Sequence, residues 1–482
     1  MSWRHLLHVV GAVVAAVGLA MLTAAVVSAI YQEWSEVLEI TAAAAVTTGM
    51  GALLWRIFDR PGEFSTKEGF AAVGLAWIAI ALFGALPYLF TGALANVTNA
   101  VFESSAGFTT TGASVIADPS QLPHGIQFWR SATQWMGGMG IIVLSVAILP
   151  LLGMGAVQLA RAESPGPTPD RLTPRFRETA KRLWLVYLVL TGVEAMLLWV
   201  GDMSLFEAVN HALTTLSTGG YSTNAGSLGA FSNYSQWIVI LFMVLAGTSF
   251  ALHFRALRDP GAYWRNPELR LYVTIVGVAA GLIAIGTWGG SIHDTIRDAV
   301  FTATSIITTT GYATADFGLW APGLEIMIVG LMFVGGMAGS TAGSVKVYRL
   351  EVLYEASRVD VRRLIHPRGV FVTRIGREPI SDLVVEAVQT FFLLYMAAFM
   401  TGTFLLGIIG SIGDPQLDLV TTVSAVASSL GNVGPGLGLV GPSETYAFVP
   451  DLGKWLLAGL MIVGRLEILP ILILFNHELW KR

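Results

Sequence analysis

The apolar positions of this chain run on instead of alternating with polar ones. Stretches of roughly 20 apolar residues, the length at which a helix crosses a bilayer, recur from end to end. The first two cover about residues 6–30 and 38–58, joined by a loop carrying Glu33 and Glu36. After a basic turn marked by Arg56, Arg60 and Lys67, one pattern repeats four times: a long span, a short half-apolar segment, a loop of hydroxyl residues with glycine, and a second long span. Long spans are predicted at about 69–90 and 126–152, 182–201 and 235–256, 270–289 and 323–346, and 383–411 and 453–475. The short segments fall at about 99–109, 205–216, 298–308 and 419–429. Ten crossings and four re-entrant segments are expected, a degenerate repeat of whole structural units.

The four loops read Thr109-Thr110-Thr111-Gly112-Ala113, Leu216-Ser217-Thr218-Gly219-Gly220, Thr308-Thr309-Thr310-Gly311-Tyr312 and Ser428-Ser429-Leu430-Gly431-Asn432. Setting Gly112, Gly219, Gly311 and Gly431 in register places a hydroxyl residue two positions before each: Thr110, Ser217, Thr309 and Ser429. Thr and Ser are also common helix caps, but a cap has no reason to recur at one place in all four units. The recurrence predicts one ring around one axis.

Composition excludes a soluble globule. The 482 residues are 54% hydrophobic and only 12% charged, against about 25% charged in soluble domains. There is no cysteine, which removes disulfides and thiolate chemistry. The histidines show no metal-binding spacing, and no nucleophile–base constellation appears, so an enzyme is not expected. The stretch from Leu6 to Ile30 is too long for the apolar core of a secretory signal and reads as a retained helix.

Charge sets the topology. With the N-terminus, the turn after the second span, the three loops between repeats and the C-terminus on one side, that side carries 24 of the 28 Lys and Arg, all but Arg130, Arg297, Lys454 and Arg465. The positive-inside rule makes it cytoplasmic. Both termini are then inside, and all four loops enter from outside.

Each short segment is too short to cross the bilayer as a helix. Irregular backbone at membrane depth is tolerated where it is buried in protein or lines a water-filled cavity. A half-helix running inward points its partly negative C-terminal end at the membrane centre, and four such ends favour a cation. Glycine permits the dihedrals that let successive carbonyls face an axis, and rings of carbonyl oxygens replace the hydration shell in potassium filters.

Two further features are expected to matter. The stretch Gly335-Gly336-Met337-Ala338-Gly339-Ser340-Thr341-Ala342-Gly343-Ser344 should break its helix, since each interior glycine costs about 1 kcal/mol relative to alanine. It serves either close packing of small residues or an unwound loop below the filter that blocks the pore and moves on opening; the second is the expectation adopted. Lys346 is either a snorkelling end residue or part of that gate. Arg465, inside the last apolar span, must face the protein interior or the pore. It is expected to place a positive charge beside the pore, the alternative being an ion pair with Glu194.

The sequence resembles the Trk/Ktr/HKT superfamily of cation transporters, and within it the TrkH-type potassium-uptake subunit of bacteria. The resemblance rests on Thr109–Ser114, Met136-Gly-Gly-Met-Gly140, Leu172–Lys181, Ser217–Thr223, Thr308–Thr314, Gly335–Ser344, Ser428–Gly436 and Gly464-Arg-Leu-Glu467, and covers nearly the whole chain. The two N-terminal spans favour the TrkH branch over the shorter KtrB branch. The resemblance implies an all-α integral membrane fold with four potassium-channel-like repeats around a central pore, plus two extra N-terminal transmembrane helices. The repeats are set at 63–165, 166–262, 263–366 and 367–482, after an N-terminal pair at 1–62. It implies potassium-binding filter residues Thr110, Thr111, Gly112, Ser217, Thr218, Gly219, Thr309, Thr310, Gly311, Ser429, Leu430, Gly431 and Asn432. The implied gate is Gly335, Gly336, Gly339, Ser340, Thr341, Gly343, Ser344 and Lys346, with Arg465 as a pore-lining charge. Leu430 and Asn432 depart from the Thr-x-Gly style and imply a less regular filter. Potassium, with rubidium and weakly sodium, is the transported ion, and no cofactor is expected in the chain. The implied setting is the bacterial inner membrane, as a homodimer, with a TrkA-like cytosolic nucleotide-binding subunit setting the gate. No nucleic-acid partner is expected. The alternative is an ion-coupled secondary transporter (potassium with protons or sodium).

Other patterns carry less. Gly436-Leu-Gly438-Leu-Val-Gly441 matches a dinucleotide fingerprint without its strand–turn–helix context. Glu103 and Glu207 read as structural acceptors near the outer mouth or as groups tuning cation access. The basic stretch Arg358–Arg377 is a solvated loop or a docking site for a regulator or anionic lipid.

Overall fold

The computed structural model describes residues 3–58, 66–147, 172–289, 291–376, 378–412, 415–468, 470–471 and 474. The predicted boundaries at 62/63 and 165/166 lie outside these residues, as do Arg60, Arg161 and Arg171. The boundary at 262/263 falls inside the short helix Gly261–Arg265, and that at 366/367 follows the helix Val347–Ile365.

Among the described residues the regular structure is helical, apart from a two-residue antiparallel pair, Arg374–Ile375 with Glu378–Pro379. Trp3–Ile30 and Trp34–Ile57 form an antiparallel hairpin. Gly11, Gly18 and Gly51 sit where a side chain would strike the facing backbone, so small residues let the two helices approach closely. Glu33, in the connecting turn, accepts from the backbone N–H of His124 at 2.8 Å, and so fixes the hairpin to the body.

Four sets of outer, short and inner helices follow. The outer helices are Thr66–Phe83 continued by Leu86–Phe90, then Leu172–Val200, Pro267–Gly286 and Asp382–Gly410. The short helices are Val97–Phe108, Leu205–Leu216, Ile292–Ile307 and Leu419–Gly431. Asn96, Ser204 and Asp418 cap three of them with side-chain oxygens, satisfying N–H groups that would otherwise be orphaned. Glu207 completes a capping box with Ser204, which fixes its role as structural.

The inner helices depart from continuous spans. The first is His124–Ala147. The second is split into Asn233–Ala246 and Phe250–Ala256, bent by 98°. The third ends at Leu331 and resumes at Val347. The fourth, Asp451–Arg465, ends where Glu467 and Ile468 turn to positive φ. Six described helices are long and apolar enough to cross a membrane, seven with the bent pair; of the other expected spans, the third inner helix is broken, the fourth has 15 residues, and the first, His124–Ala147, is long enough but carries Gln127, Arg130 and Gln134 in its first half. Arg465, expected mid-span, lies at the end of its helix.

The sets follow one another around a centre. Each inner helix packs on the short helix of the next set, and the fourth packs on the first.

Candidate functional site

The C-terminal ends of the four short helices lead into loops of one shared geometry. In the first set, Thr110 takes φ 53°, its N–H donates to the carbonyl of Gly107, and Gly112 takes φ 77°. Thr218 and Gly220, Thr309 and Gly311, and Asn432 and Gly434 repeat that pair of positive φ angles. The hydrogen bonds agree: the N–H groups of Thr218, Thr309 and Asn432 donate to Thr215, Ile306 and Ser429. The equivalent glycines are therefore Gly112, Gly220, Gly311 and Gly434.

This corrects the register expected from sequence in two loops. Gly219 stands one residue before the equivalent glycine. Ser429, Leu430 and Gly431 form the last turn of the helix Leu419–Gly431, and the fourth loop is Asn432-Val433-Gly434. Ser217 is the helix C-cap, equivalent to Thr109 and Thr308. Thr110, Thr111, Gly112, Thr218, Thr309, Thr310, Gly311 and Asn432 lie in the loops as expected.

The four glycines close a ring. A Cβ at Gly112 would strike the carbonyl oxygen of Gly219; at Gly220, that of Thr310; at Gly311, that of Val433; at Gly434, that of Thr111. Each loop thus lies against the carbonyl preceding the glycine of the next, in the order first, second, third, fourth, first. All four glycines border one open vestibule, whereas Gly219 and Gly431 do not. Positive φ and a neighbouring carbonyl at each site together demand glycine.

Supports behind the ring hold it. Gln134 donates to the Gly219 carbonyl at 2.7 Å and accepts from the Tyr221 N–H at 3.1 Å. Asn432 donates to Thr111 Oγ1 at 3.0 Å and to the Met461 carbonyl at 2.9 Å. Thr110 Oγ1, Ser428 Oγ, Ser429 Oγ and Asn432 Oδ1 are buried without a hydrogen-bond partner.

The break in the third inner helix lies against these loops. It spans 332–346, wider than the glycine stretch that predicts it, with positive φ at Gly335, Gly339, Ser344 and Lys346. The Gly343 N–H donates to Thr309 Oγ1 at 2.8 Å. A side chain on Gly343 would meet the Gly431 carbonyl. Thr341 Oγ1 donates to the carbonyls of Leu216 at 3.0 Å and Ala246 at 3.2 Å. Ser344 Oγ donates to the Met332 carbonyl at 2.7 Å, and Ser340 Oγ to that of Met337 at 2.7 Å. The bend in the second inner helix interlocks with the loop: Met337 N–H donates to Gly247 O at 2.8 Å, and Phe250 N–H to Gly339 O at 3.0 Å. Sequence reading missed this bend, although Gly247-Thr248-Ser249 is a weak helical run. A side chain on Gly336 would also meet Gly247 O.

Charged groups clamp the loop. Arg465, 2% exposed, donates to Thr341 O at 2.7 Å and Gly137 O at 3.3 Å; no hydrogen bond or ion pair joins it to Glu194. It therefore bridges the first inner helix, the fourth and the loop. Lys346 is buried and pairs with Glu467 at 2.7 Å, and Arg349 bonds the other carboxylate oxygen, so Lys346 is not a snorkelling residue. Glu268, at the start of the third outer helix, accepts from the Ala338 N–H at 2.7 Å.

The TrkH family profile, described as a cation transport protein, matches residues 37–264 and 290–481. The chain belongs to the TrkH family of cation transport proteins. It is 37% identical to the Trk system potassium uptake protein TrkH of Salmonella typhimurium and 35% to that of Escherichia coli K12, over the full length of each. The Trk system potassium uptake protein TrkG of Escherichia coli K12 is 34% identical over 99% of both chains. The crystal structure of the potassium transporter TrkH from Vibrio parahaemolyticus superposes with a TM-score of 0.91 at 35% identity, covering 100% of both chains. Membership of the TrkH family and the apolar helices make this an all-α, multi-pass membrane protein, a transporter and not an enzyme.

Proposed function

We propose that this chain is the ion-conducting subunit of a potassium uptake system in the bacterial inner membrane, passing potassium inward down its electrochemical gradient. The observation that carries the reading is the closed ring: four glycines, each held against the carbonyl of the next loop, around one vestibule. Carbonyls so ordered replace a hydration shell. The C-terminal ends of four short helices add negative potential at the same point. Buried oxygens without a protein partner, such as Thr110 Oγ1 and Asn432 Oδ1, are costly unless something supplies one; a dehydrated cation does. The filter is then Thr110–Gly112, Thr218–Gly220, Thr309–Gly311 and Asn432–Gly434. The relatives' names, Trk system potassium uptake protein, support the choice of ion.

The loop 332–346 is the gate in this reading, held shut by Arg465, Glu268 and the Lys346–Glu467–Arg349 cluster. Both termini face the cytoplasm. The chain works as a homodimer with one pore per chain, and a TrkA-like nucleotide-binding ring moves the gate from the cytosolic side.

The test is uptake of radioactive rubidium into proteoliposomes driven by a potassium gradient alone. Uptake without ATP or a proton gradient is expected, with sodium competing weakly. Strict dependence on a proton or sodium gradient would replace this reading with the ion-coupled transporter. In the same assay Glu268→Ala should raise basal uptake about tenfold, since the Ala338 N–H loses a charged acceptor. Glu268→Gln, which keeps an acceptor oxygen, should stay near the unaltered chain; equal uptake in all three would remove Glu268 from the gate.

A further inference from the structure

The ion pair Glu103–Arg130 lies outside the gate and the ring. Glu103, on the first short helix, is fully buried, and Arg130, on the first inner helix, is 2% exposed. Glu103 Oε1 accepts from Arg130 Nε at 2.9 Å. The carboxylate also accepts from Ser114 Oγ at 3.0 and 3.1 Å and from the Val115 N–H at 3.0 Å. Arg130 Nη2 donates to Ser114 Oγ at 3.2 Å, and the guanidinium lies 4.1 Å from the centre of the Tyr221 ring. Tyr221 returns a hydrogen bond from its hydroxyl to the Glu103 carbonyl at 2.9 Å.

One buried charge pair therefore grips two filter exits: Ser114–Val115, just past Gly112, and Tyr221, next to Gly220. The other sets show what is special here. Glu103 lies seven residues before the positive-φ residue of its loop, Thr110; the same place before Thr218, Thr309 and Asn432 holds His211, Thr302 and Ala425. Ser114 lies two residues past its glycine; the same place holds Ser222, Ala313 and Gly436. His211 Nε2 sits 3.1 Å from Ser222 Oγ, an imidazole form of the same tie. Thr302 Oγ1 has no partner, and Ala425 has no polar side chain. Among the described residues, the fully buried carboxylate–guanidinium tie is the one at the seam between the first and second loops; on the third short helix Asp298 pairs with Arg297 and accepts from Thr314 Oγ1 at 3.0 Å, but both charged side chains there are partly exposed.

Two charges held out of water are a costly device for mere packing. Arg130 also borders the vestibule with the four glycines. An unpaired guanidinium there would repel the ions that must approach. We propose that Glu103 and Arg130 are positioning residues for ion selection. Through Ser114 and Tyr221 they fix the outer ends of the first and second loops, and Glu103 cancels the field of Arg130 at the vestibule. The inference rests on the filter reading above.

The test uses full-length protein in proteoliposomes, reading the half-saturating rubidium concentration and the sodium concentration that halves rubidium uptake. Glu103→Gln keeps the shape and removes the charge. It should raise half-saturation and lower the sodium concentration needed, each about tenfold, the scale typical when a group that orients ion ligands is lost. Glu103→Gln with Arg130→Gln removes both charges. It should restore half-saturation while leaving sodium competition strong, which separates field from position. Ser114→Ala cuts the tie without changing charge and should strengthen sodium competition alone. Folded Glu103→Gln and Ser114→Ala proteins that match the unaltered chain on both readouts would overturn the proposal. If Glu103→Gln does not fold, Ser114→Ala and Tyr221→Phe decide on sodium competition: a shift supports it, no shift overturns it. An unaltered protein that does not prefer rubidium to sodium refutes the filter reading itself. A selective one with unaffected variants refutes only this inference.

Discussion

Gly434→Ala should remove most of the discrimination between potassium and sodium, whereas Gly431→Ala should leave discrimination intact and act on opening instead. Gly434 takes φ 108°, and a side chain there would strike the carbonyl oxygen of Thr111. Strained backbone of this kind costs about 1–3 kcal/mol, and the clash is added to it. Because Thr111 O belongs to the ring, relief comes from moving a carbonyl that faces the ion in the proposed filter. A loss of about 1.4 kcal/mol of differential binding is a tenfold loss of discrimination, so a fall of at least about tenfold is expected. Gly431 is helical, and a side chain there would meet the Met332 carbonyl at 2.9 Å, at the start of the broken segment. Sodium competition against rubidium uptake checks both variants. If Gly431→Ala abolishes discrimination and Gly434→Ala spares it, the ring has been assigned to the wrong residues.

Arg465→Ala should raise basal cation flux about tenfold in the absence of any cytosolic partner. The guanidinium donates to the carbonyls of Thr341 and Gly137. Hydrogen bonds to charged groups contribute about 1.5–3 kcal/mol each when buried. Losing them frees the Thr341 end of the loop, leaving Thr341 Oγ1 and the Gly343–Thr309 bond as its nearer ties. It also removes a positive charge from below the ring, which lowers the barrier to a cation. Arg465→Lys keeps the charge but not the two-armed reach, and should fall between. Single-channel recording separates the two effects: a released loop raises open probability, and a removed charge raises unit conductance. Folded Arg465→Ala protein with both values unchanged would show that the guanidinium only fastens helices together.

The fourth loop shows why the site was only partly legible. Ser428-Ser429-Leu430-Gly431 looks like the other hydroxyl–glycine loops in composition. Whether it is loop or helix depends on where the short helix stops. Leu419–Gly431 continues through this motif and ends at Asn432, whose side chain finds Thr111 and Met461 from other sets. Those partners are remote in sequence, so nothing local marks the stop. In the second loop, Gly219 and Gly220 are both conformationally free, and only in the folded chain does Gly220 take the positive φ and lie against the Thr310 carbonyl. The bend at Gly247–Ser249 was hidden likewise: an apolar run reads as continuous, and its lost helical bonds are met by Met337 and Gly339 of the next set.

By itself, the sequence determined the membrane class, the order of long and short helices, the four loops that follow the short helices and the break in the third inner helix. These follow from local quantities: run length against bilayer thickness and glycine's helix penalty. Only the tertiary structure decided which glycine in each set closes the ring, and that Arg465 holds a loop carbonyl instead of Glu194. It alone brought Glu103 and Arg130 across the first seam to the exits of two loops. Each of those outcomes depends on a partner from another set, brought near by the circular packing of the helices, and a one-dimensional pattern carries no distance between sets.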